Sequence, residues 1–260
     1  MVDTVRFTFS TMGTVVSTQW QQSQPMTSTE SLISAEVEKV FADFNLTFSL
    51  YLEDSELSRI ARGALKLEDS SEQMRSVYAQ ALEWRSATLG AFTPHRRDGV
   101  IDLNGIVKAL AIERSGTVFE EAGVDNWSVN AGGDVLCGTS TRGHTVGIVD
   151  PADRQRLLCA VTLGTGRRAM ATSGNAERGD HIWALTPSAV GVFAQVTVMA
   201  TDIVTADVLA TAIVAGGPET LDDVTSRWDV DVLTIDSAGS FRATPGFQGA
   251  LERSDHSDVG

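Results

Sequence analysis

The sequence predicts a fold of the mixed α and β kind, on three observations. Residues 4–20 alternate apolar and polar side chains as paired strands do. Three stretches between residues 30 and 123 then repeat apolar residues at helical spacing, and residues 127–172 return to short strand-like runs punctuated by glycine.

At the N-terminus, two short strands flank Ser10-Thr11-Met12-Gly13-Thr14, whose glycine suits either an ordinary hairpin turn or the close approach of a ligand. Thr27-x-x-Glu30 has the pattern of a capping box and opens a helix with Ile33, Val37, Val40, Phe41 and Phe44 on one face. Asp54 to Ser58 opens a short helix. Tyr51, just before it, reads either as a core tyrosine with a wet hydroxyl or as a surface for stacking a planar ring. Ser70-x-x-Gln73 caps a second long helix carrying Met74, Val77, Tyr78, Ala81 and Leu82, which ends near Gly90 with Pro94 beyond it. His95-Arg96-Arg97 reads as a solvated loop.

The stretch IDLNGIVKALAIER, from Ile101 to Arg114, concentrates the chemistry. Asp102 ends an apolar run, Asn104 and Gly105 suit a tight turn, and Ile106, Ala109 and Leu110 recur as on a helix. A helix starting there points unpaired N–H groups and Lys108 at whatever sits above, an arrangement that favours phosphate or carboxylate. The helix ends at Gly123. A strand from Trp127 to Asn130 is broken by Ala131-Gly132-Gly133 and resumes at Asp134; the glycines mark either a bulge or a close backbone approach.

Strands at 144–149, 157–163 and 167–172 follow, and Ser173 to Gly179 reads as a loop leading to His181, a residue type that titrates near neutrality. Residues 190–200 alternate as a strand. A helix from Thr205 closes at Gly216, another runs from Pro218 through Val224, and Val230 to Ile235 is the last strand. Asp207 and Thr211 are four apart, so their oxygens share one helix face. That is a hard-oxygen set suited to Mg²⁺; alternatively, Asp207 favours the helix start and Thr211 bonds its own backbone.

With 260 residues, 42% of them apolar, the chain can bury a sizeable core as one domain or two lobes over residues 1–251, leaving 252–260 as a polar tail expected to be disordered. The formal charge of −14 disfavours nucleic acid and acidic lipid as partners. It also means that an anionic ligand needs local donors and a divalent cation. No apolar run approaches the roughly 20 residues of a membrane span. The N-terminus has neither a basic leader nor a long apolar segment, so a cytoplasmic location is expected for a full-length chain and the cell envelope if a leader was removed. Cys137 and Cys159 lack C-x-x-C spacing and are expected as buried, unpaired thiols.

Taken in order, Met12-Gly13-Thr14, Phe48-Ser49-x-Tyr51, Gly90-x-Phe92-x-Pro94, Asp102-Leu103-x-Gly105-Ile106-x-Lys108, Asn130-Ala131-Gly132-Gly133-Asp134, Ala171-Thr172-Ser173-Gly174, His181-Ile182 and Ala206-Asp207-x-Leu209-x-Thr211 resemble the ApbE family, the FAD:protein FMN transferases. The resemblance implies an α+β fold of mixed, largely antiparallel sheets with packed helices. It further implies Mg²⁺-dependent transfer of FMN from FAD to a Ser or Thr hydroxyl of an acceptor protein, with release of AMP. FAD binding without catalysis, or hydrolysis of FAD to FMN and AMP, are the alternatives.

By this resemblance Asp207 and Thr211 fall on the metal-binding side chains, with the carbonyls of Val107 and Ala210 as further ligands. His181 falls on the histidine that assists proton removal, which places it with Asp207 in the catalytic set. Met12, Ser49, Tyr51 and Asp134 fall in segments lining the nucleotide, and Asn104, Gly105, Lys108 and Ser173 belong to motifs expected beside it. Asn104 and Ala109 stand where the family has glycines, Trp183-Ala184 follows His181-Ile182 where it has Asp-Pro, and only a few residues separate Pro94 from Asp102 where it has a further segment.

Overall fold

The computed structural model describes residues 3–22, 27–140, 143–164, 166–174 and 191–252. The N-terminal alternation becomes a hairpin of β1 (Asp3–Thr11) and β2 (Thr14–Gln22), in unbroken register from Asp3↔Gln22 to Thr11↔Thr14. Met12 and Gly13 make its two-residue turn at φ of 49° and 71°, a turn whose twist matches that of the strands. Helix α1 (Thr27–Phe48) buries Ile33, Val37, Val40, Phe41 and Phe44, the stripe its periodicity predicts. The capping side chain expected at Thr27 lies outside the described residues.

Ser55 caps α2 (Glu56–Ala61) by accepting the Ser58 N–H. Helix α3 (Glu72–Ala87) is capped by Ser71, whose Oγ accepts the Met74 N–H at 3.1 Å, and not by Ser70 as the spacing predicts. The Ser70 hydroxyl is spent elsewhere, donating to the Leu67 carbonyl at 2.6 Å to close a 3-10 turn over Leu67–Asp69. Asn104 and Gly105, expected as a tight turn, are instead the first residues of α4 (Asn104–Glu121). The turn lies just ahead, where Asp102 Oδ1 accepts the Asn104 N–H at 3.0 Å.

Strands β3 (Trp127–Ala131) and β4 (Asp134–Cys137) pair with Ala131 opposite Asp134, so Gly132 and Gly133 form a second two-residue turn, at φ of 63° and 96°. Of the two expectations the structure removes the bulge and keeps the close approach: both turn residues need positive φ, which glycine adopts freely, and a Cβ on Gly132 would stand 2.5 Å from Thr14 Oγ1. Strands β5 (His144–Val149) and β6 (Leu157–Leu163) make a small separate sheet. Strands β7 (Ala169–Gly174), β8 (Phe193–Ala200), β9 (Asp231–Asp236) and β10 (Phe241–Ala243) complete an eight-stranded sheet in the order β1-β2-β3-β4-β7-β8-β9-β10, antiparallel at every pairing. Ser173 and Gly174, expected in a loop, end β7. Helix α5 (Ile203–Arg227) is interrupted at Gly217, where φ is 72°, and α6 (Pro245–Ala250) follows β10.

Helices α1, α4 and α5 cover one face of the large sheet, with Phe41, Phe119, Trp20 and Trp127 among the side chains buried between them. The β5–β6 pair and α6 cover part of the other face, burying Val135, Met170, Met199 and Phe247. Central strands β4, β7 and β8 are therefore buried on both sides, which is why they read as nearly continuous apolar runs. Burial pushes the Cys137 thiol up to about 12, and Cys159 is half-buried; neither is in a disulfide. Glu252, expected in the disordered tail, is held to β6 by its N–H on the Ala160 carbonyl at 2.9 Å and by the Thr162 hydroxyl on its carboxylate. Residues 253–260 lie outside the described residues.

Candidate functional site

Strand register brings distant motifs to one end of the sheet. Val16 lies opposite Ala131, so the Met12–Gly13 and Gly132–Gly133 turns stand side by side. Thr172 of β7 reaches the same end and donates its N–H to Asp134 Oδ1 at 3.0 Å. The start of α4, the Thr211 face of α5, the chain after α1, the 91–102 loop and the segment after β5 complete a cleft of about 1170 Å³. That is somewhat above the roughly 300–1,000 Å³ usual for small-molecule sites.

Of the predicted residues, Met12, Ser49, Tyr51, Asn104, Gly105, Lys108 and Thr211 line this cleft. Asp134, Ser173 and Asp207 stand behind it, all three with no exposed surface. Val107 and Ala210 are buried within α4 and α5, helices that pack together. His181 lies outside the described residues.

Each placed residue has a local reason. Lys108 extends from the second turn of α4 to an ion pair with Asp134, which the β3–β4 turn sets opposite it. Asp134 thus has one oxygen on the Thr172 N–H and one on an ammonium, which is how a fully buried carboxylate is satisfied. Ser49 Oγ accepts the N–H groups of Tyr51 and Leu52 at 3.1 and 3.2 Å, holding the rim of the cleft. Tyr51 is 75% exposed, which sets aside the core reading and leaves an aromatic face at that rim. Gly105 is required by packing: a Cβ there would stand 2.9 Å from Phe92 Cε2.

Among the cleft residues that escape the sequence reading are two basic side chains, a histidine and an arginine. His95, expected in a solvated loop, lines the cleft with Nε2 2.9 Å from the Tyr78 hydroxyl, and burial followed by the nearby Arg85 guanidinium pulls its pKa below the usual value. Its helical partner 17 residues earlier is a signal no local pattern carries. Arg154 also lines the cleft, from a loop ordered by Asp150 Oδ1 on the Ala152 N–H and Asp153 Oδ1 on the Gln155 N–H.

On α5 a carboxylate and a hydroxyl, both hard oxygen donors, share one helix face. Asp207 lies one turn before Thr211, and the Thr211 hydroxyl meets Ser173 Oγ at 3.1 Å across to β7. This is not the helix-start alternative, because α5 begins at Ile203 with Asp202 as its cap. Among the described residues no group of three or more His, Cys, Asp or Glu could hold a metal by itself. One carboxylate with hydroxyls fits Mg²⁺ when a ligand's phosphates complete the shell.

The comparisons agree with this fold. No curated protein matches the chain in sequence. Among solved structures, the chain is similar to the ApbE protein of Thermotoga maritima, with TM-score 0.80 at 21% identity over 96% of this chain and 100% of that one. It is similar to the flavin transferase ApbE of Vibrio cholerae, with TM-score 0.76 at 21% identity over 96% and 100%. The apo flavinyl transferase ApbE of Pseudomonas stutzeri gives TM-score 0.77 at 20% identity over 96% and 97%. The family model described as the ApbE family matches residues 12–100 and 95–234, and with most of its length so matched the chain belongs to the ApbE family.

Proposed function

We propose that the chain is an FAD:protein FMN transferase, moving FMN from FAD to a Ser or Thr hydroxyl of an acceptor protein and releasing AMP. The observation that carries this reading is the convergence of Lys108 from α4 and Thr211 from α5, backed by buried Asp207, on one cleft. The exposed Tyr51 offers aromatic surface for the flavin ring in the same cleft. Lys108 and the N-terminal turn of α4 supply positive potential for the pyrophosphate.

Asp207 and Thr211 would hold Mg²⁺, with the Val107 and Ala210 carbonyls as further candidate ligands. The ion would supply charge stabilisation at the phosphoryl oxygens. The acceptor oxygen forms a bond to the FMN phosphorus, the bond from that phosphorus to the bridging oxygen breaks, and AMP departs with the bridging oxygen. His181 is the residue assigned to receive the hydroxyl proton. Asp134 keeps Lys108 aimed along the cleft wall, and Ser173 orients the Thr211 hydroxyl.

The test is a titration with FAD, with and without Mg²⁺, followed by assay of AMP with and without peptides bearing Ser and Thr. Labelled peptide with acceptor-dependent AMP is the expected result; AMP without acceptor would mean a hydrolase, and binding without AMP a flavin binder. Asp207→Ala is expected to abolish Mg²⁺-dependent turnover and weaken FAD binding. Turnover unchanged in that variant would refute the metal assignment. His181→Ala is expected to slow transfer with little change in FAD affinity.

A further inference from the structure

A second cavity, of about 940 Å³, lies on the face of the large sheet opposite the helices. Outward side chains of β1 to β3 floor it, among them Thr8, Ser17, Gln19, Ser128 and Asn130, and β5 forms a wall. No Asp or Glu is among its described lining residues, in a chain with 34 acidic and 20 basic residues. Arg6 is the one lysine or arginine among them.

Its position ties it to the cleft. Strand β2 gives Thr14 to the cleft and Ser17 to the groove, and β5 gives Val149 to the cleft and Gly147 to the groove. Asn130 lines the groove while its Oδ1 accepts, at 3.0 Å, the N–H of Gly133, which lines the cleft. The two cavities therefore adjoin across the β3–β4 turn. Two residues of strand span about 7 Å, so a few residues of extended chain suffice to pass from one to the other.

We propose that this groove seats an extended segment of the acceptor protein, neutral to acidic in charge, and leads its Ser or Thr hydroxyl into the cleft. The proposal rests on the transferase reading. An extended segment brings backbone N–H and C=O groups that need partners, and a floor of hydroxyls and amides provides them without a carboxylate to desolvate. Arg6 and the absence of groove carboxylates favour acidic side chains on that segment and set the groove apart from a surface that would repel them.

The test uses the full chain with FAD, Mg²⁺ and a randomised peptide library carrying one central Thr, with flavin-labelled peptides quantified and sequenced. Thr8→Trp and Ser17→Trp fill the groove from outward strand positions and leave the cleft lining unchanged. Each is expected to slow labelling at least tenfold while FAD affinity stays at the wild-type value, and Arg6→Glu is expected to deplete acidic residues from the labelled pool. Labelling at the wild-type rate by both Trp variants, or a pool unchanged by Arg6→Glu, overturns the assignment. So does sedimentation showing that the Trp variants split a dimer, because the groove's occupant would then be a second copy. Wild-type protein that binds FAD and labels no peptide is a different failure, that of the transferase reading itself.

Discussion

Lys108 and Asp134 show what a single pair decides. Asp134 has no exposed surface, whereas the Lys108 side chain keeps 17% of its own at the cleft wall. Removing the lysine leaves a carboxylate in the interior with the Thr172 N–H as a remaining partner; removing the carboxylate leaves an ammonium that can reach water. Lys108→Met is therefore expected to cost about 2–4 kcal/mol of stability, and Asp134→Asn clearly less, because breaking a buried pair is dominated by the charge left behind. Urea unfolding of the two variants checks this, and equal losses would contradict it. Both residues are legible as site candidates, each sitting in its own motif. Their pairing across 26 residues is not, because it depends on the β3–β4 turn that the double glycine conceals. The same limit hides His95 on Tyr78, a contact that exists only once α3 and the following loop are folded together.

Elements are positioned by close contacts that local propensity opposes. Gly116 lies inside α4, where alanine would be the better helix former, yet a Cβ there would stand 2.6 Å from Trp127 Cη2 and 3.1 Å from Leu136 Cδ2. The missing side chain lets α4 sit close on β3 and β4, and so fixes the height of Lys108 over Asp134. Gly249 in α6 has nothing within 4 Å of its added Cβ. Gly116→Ala is expected to lose about 1–2 kcal/mol, overpacking outweighing a helix-propensity gain of up to about 1 kcal/mol, while Gly249→Ala gains a few tenths to about 1 kcal/mol. Thermal unfolding of the pair tests whether the signs differ. Periodicity makes α1, α3 and the N-terminal hairpin legible, since each buries one regular face, whereas β4, β7 and β8 show as nearly continuous apolar runs because both their faces are covered. It says nothing of β10 and α6, which are too short for a period to emerge, or of strand order, which joins β4 to β7 over the intervening hairpin.

At the scale of the whole molecule, charge and burial pull in opposite directions as pH falls. A formal charge of −14 means that acidification relieves self-repulsion and tends to stabilise the fold. Glu113 acts in the same sense: burial, then Asp202, raises its pKa above 4.5, so its contribution is present at low pH and is lost as pH rises through the folded value. His95 and His144 oppose this. Burial holds both below the ordinary 6.5, helped at His95 by Arg85 and resisted at His144 by a backbone bond to Gly138. As pH drops below 6.5 the unfolded chain takes up these protons first, so the stability that each neutral imidazole contributes is full above 6.5 and declines down to its folded pKa. Total stability against pH mixes these terms, but a difference isolates the imidazoles, because net charge and Glu113 act nearly alike in both proteins. The stability gap between wild type and a His95→Gln, His144→Gln variant is expected to be constant from pH 7.5 to 8.5 and to move against the wild type between pH 6.5 and 5. Urea midpoints at each pH measure it; a gap that stays flat would show that these imidazoles are as well solvated in the folded protein as in the open chain, and one that moves in favour of the wild type on acidification would show that the fold favours their charged forms.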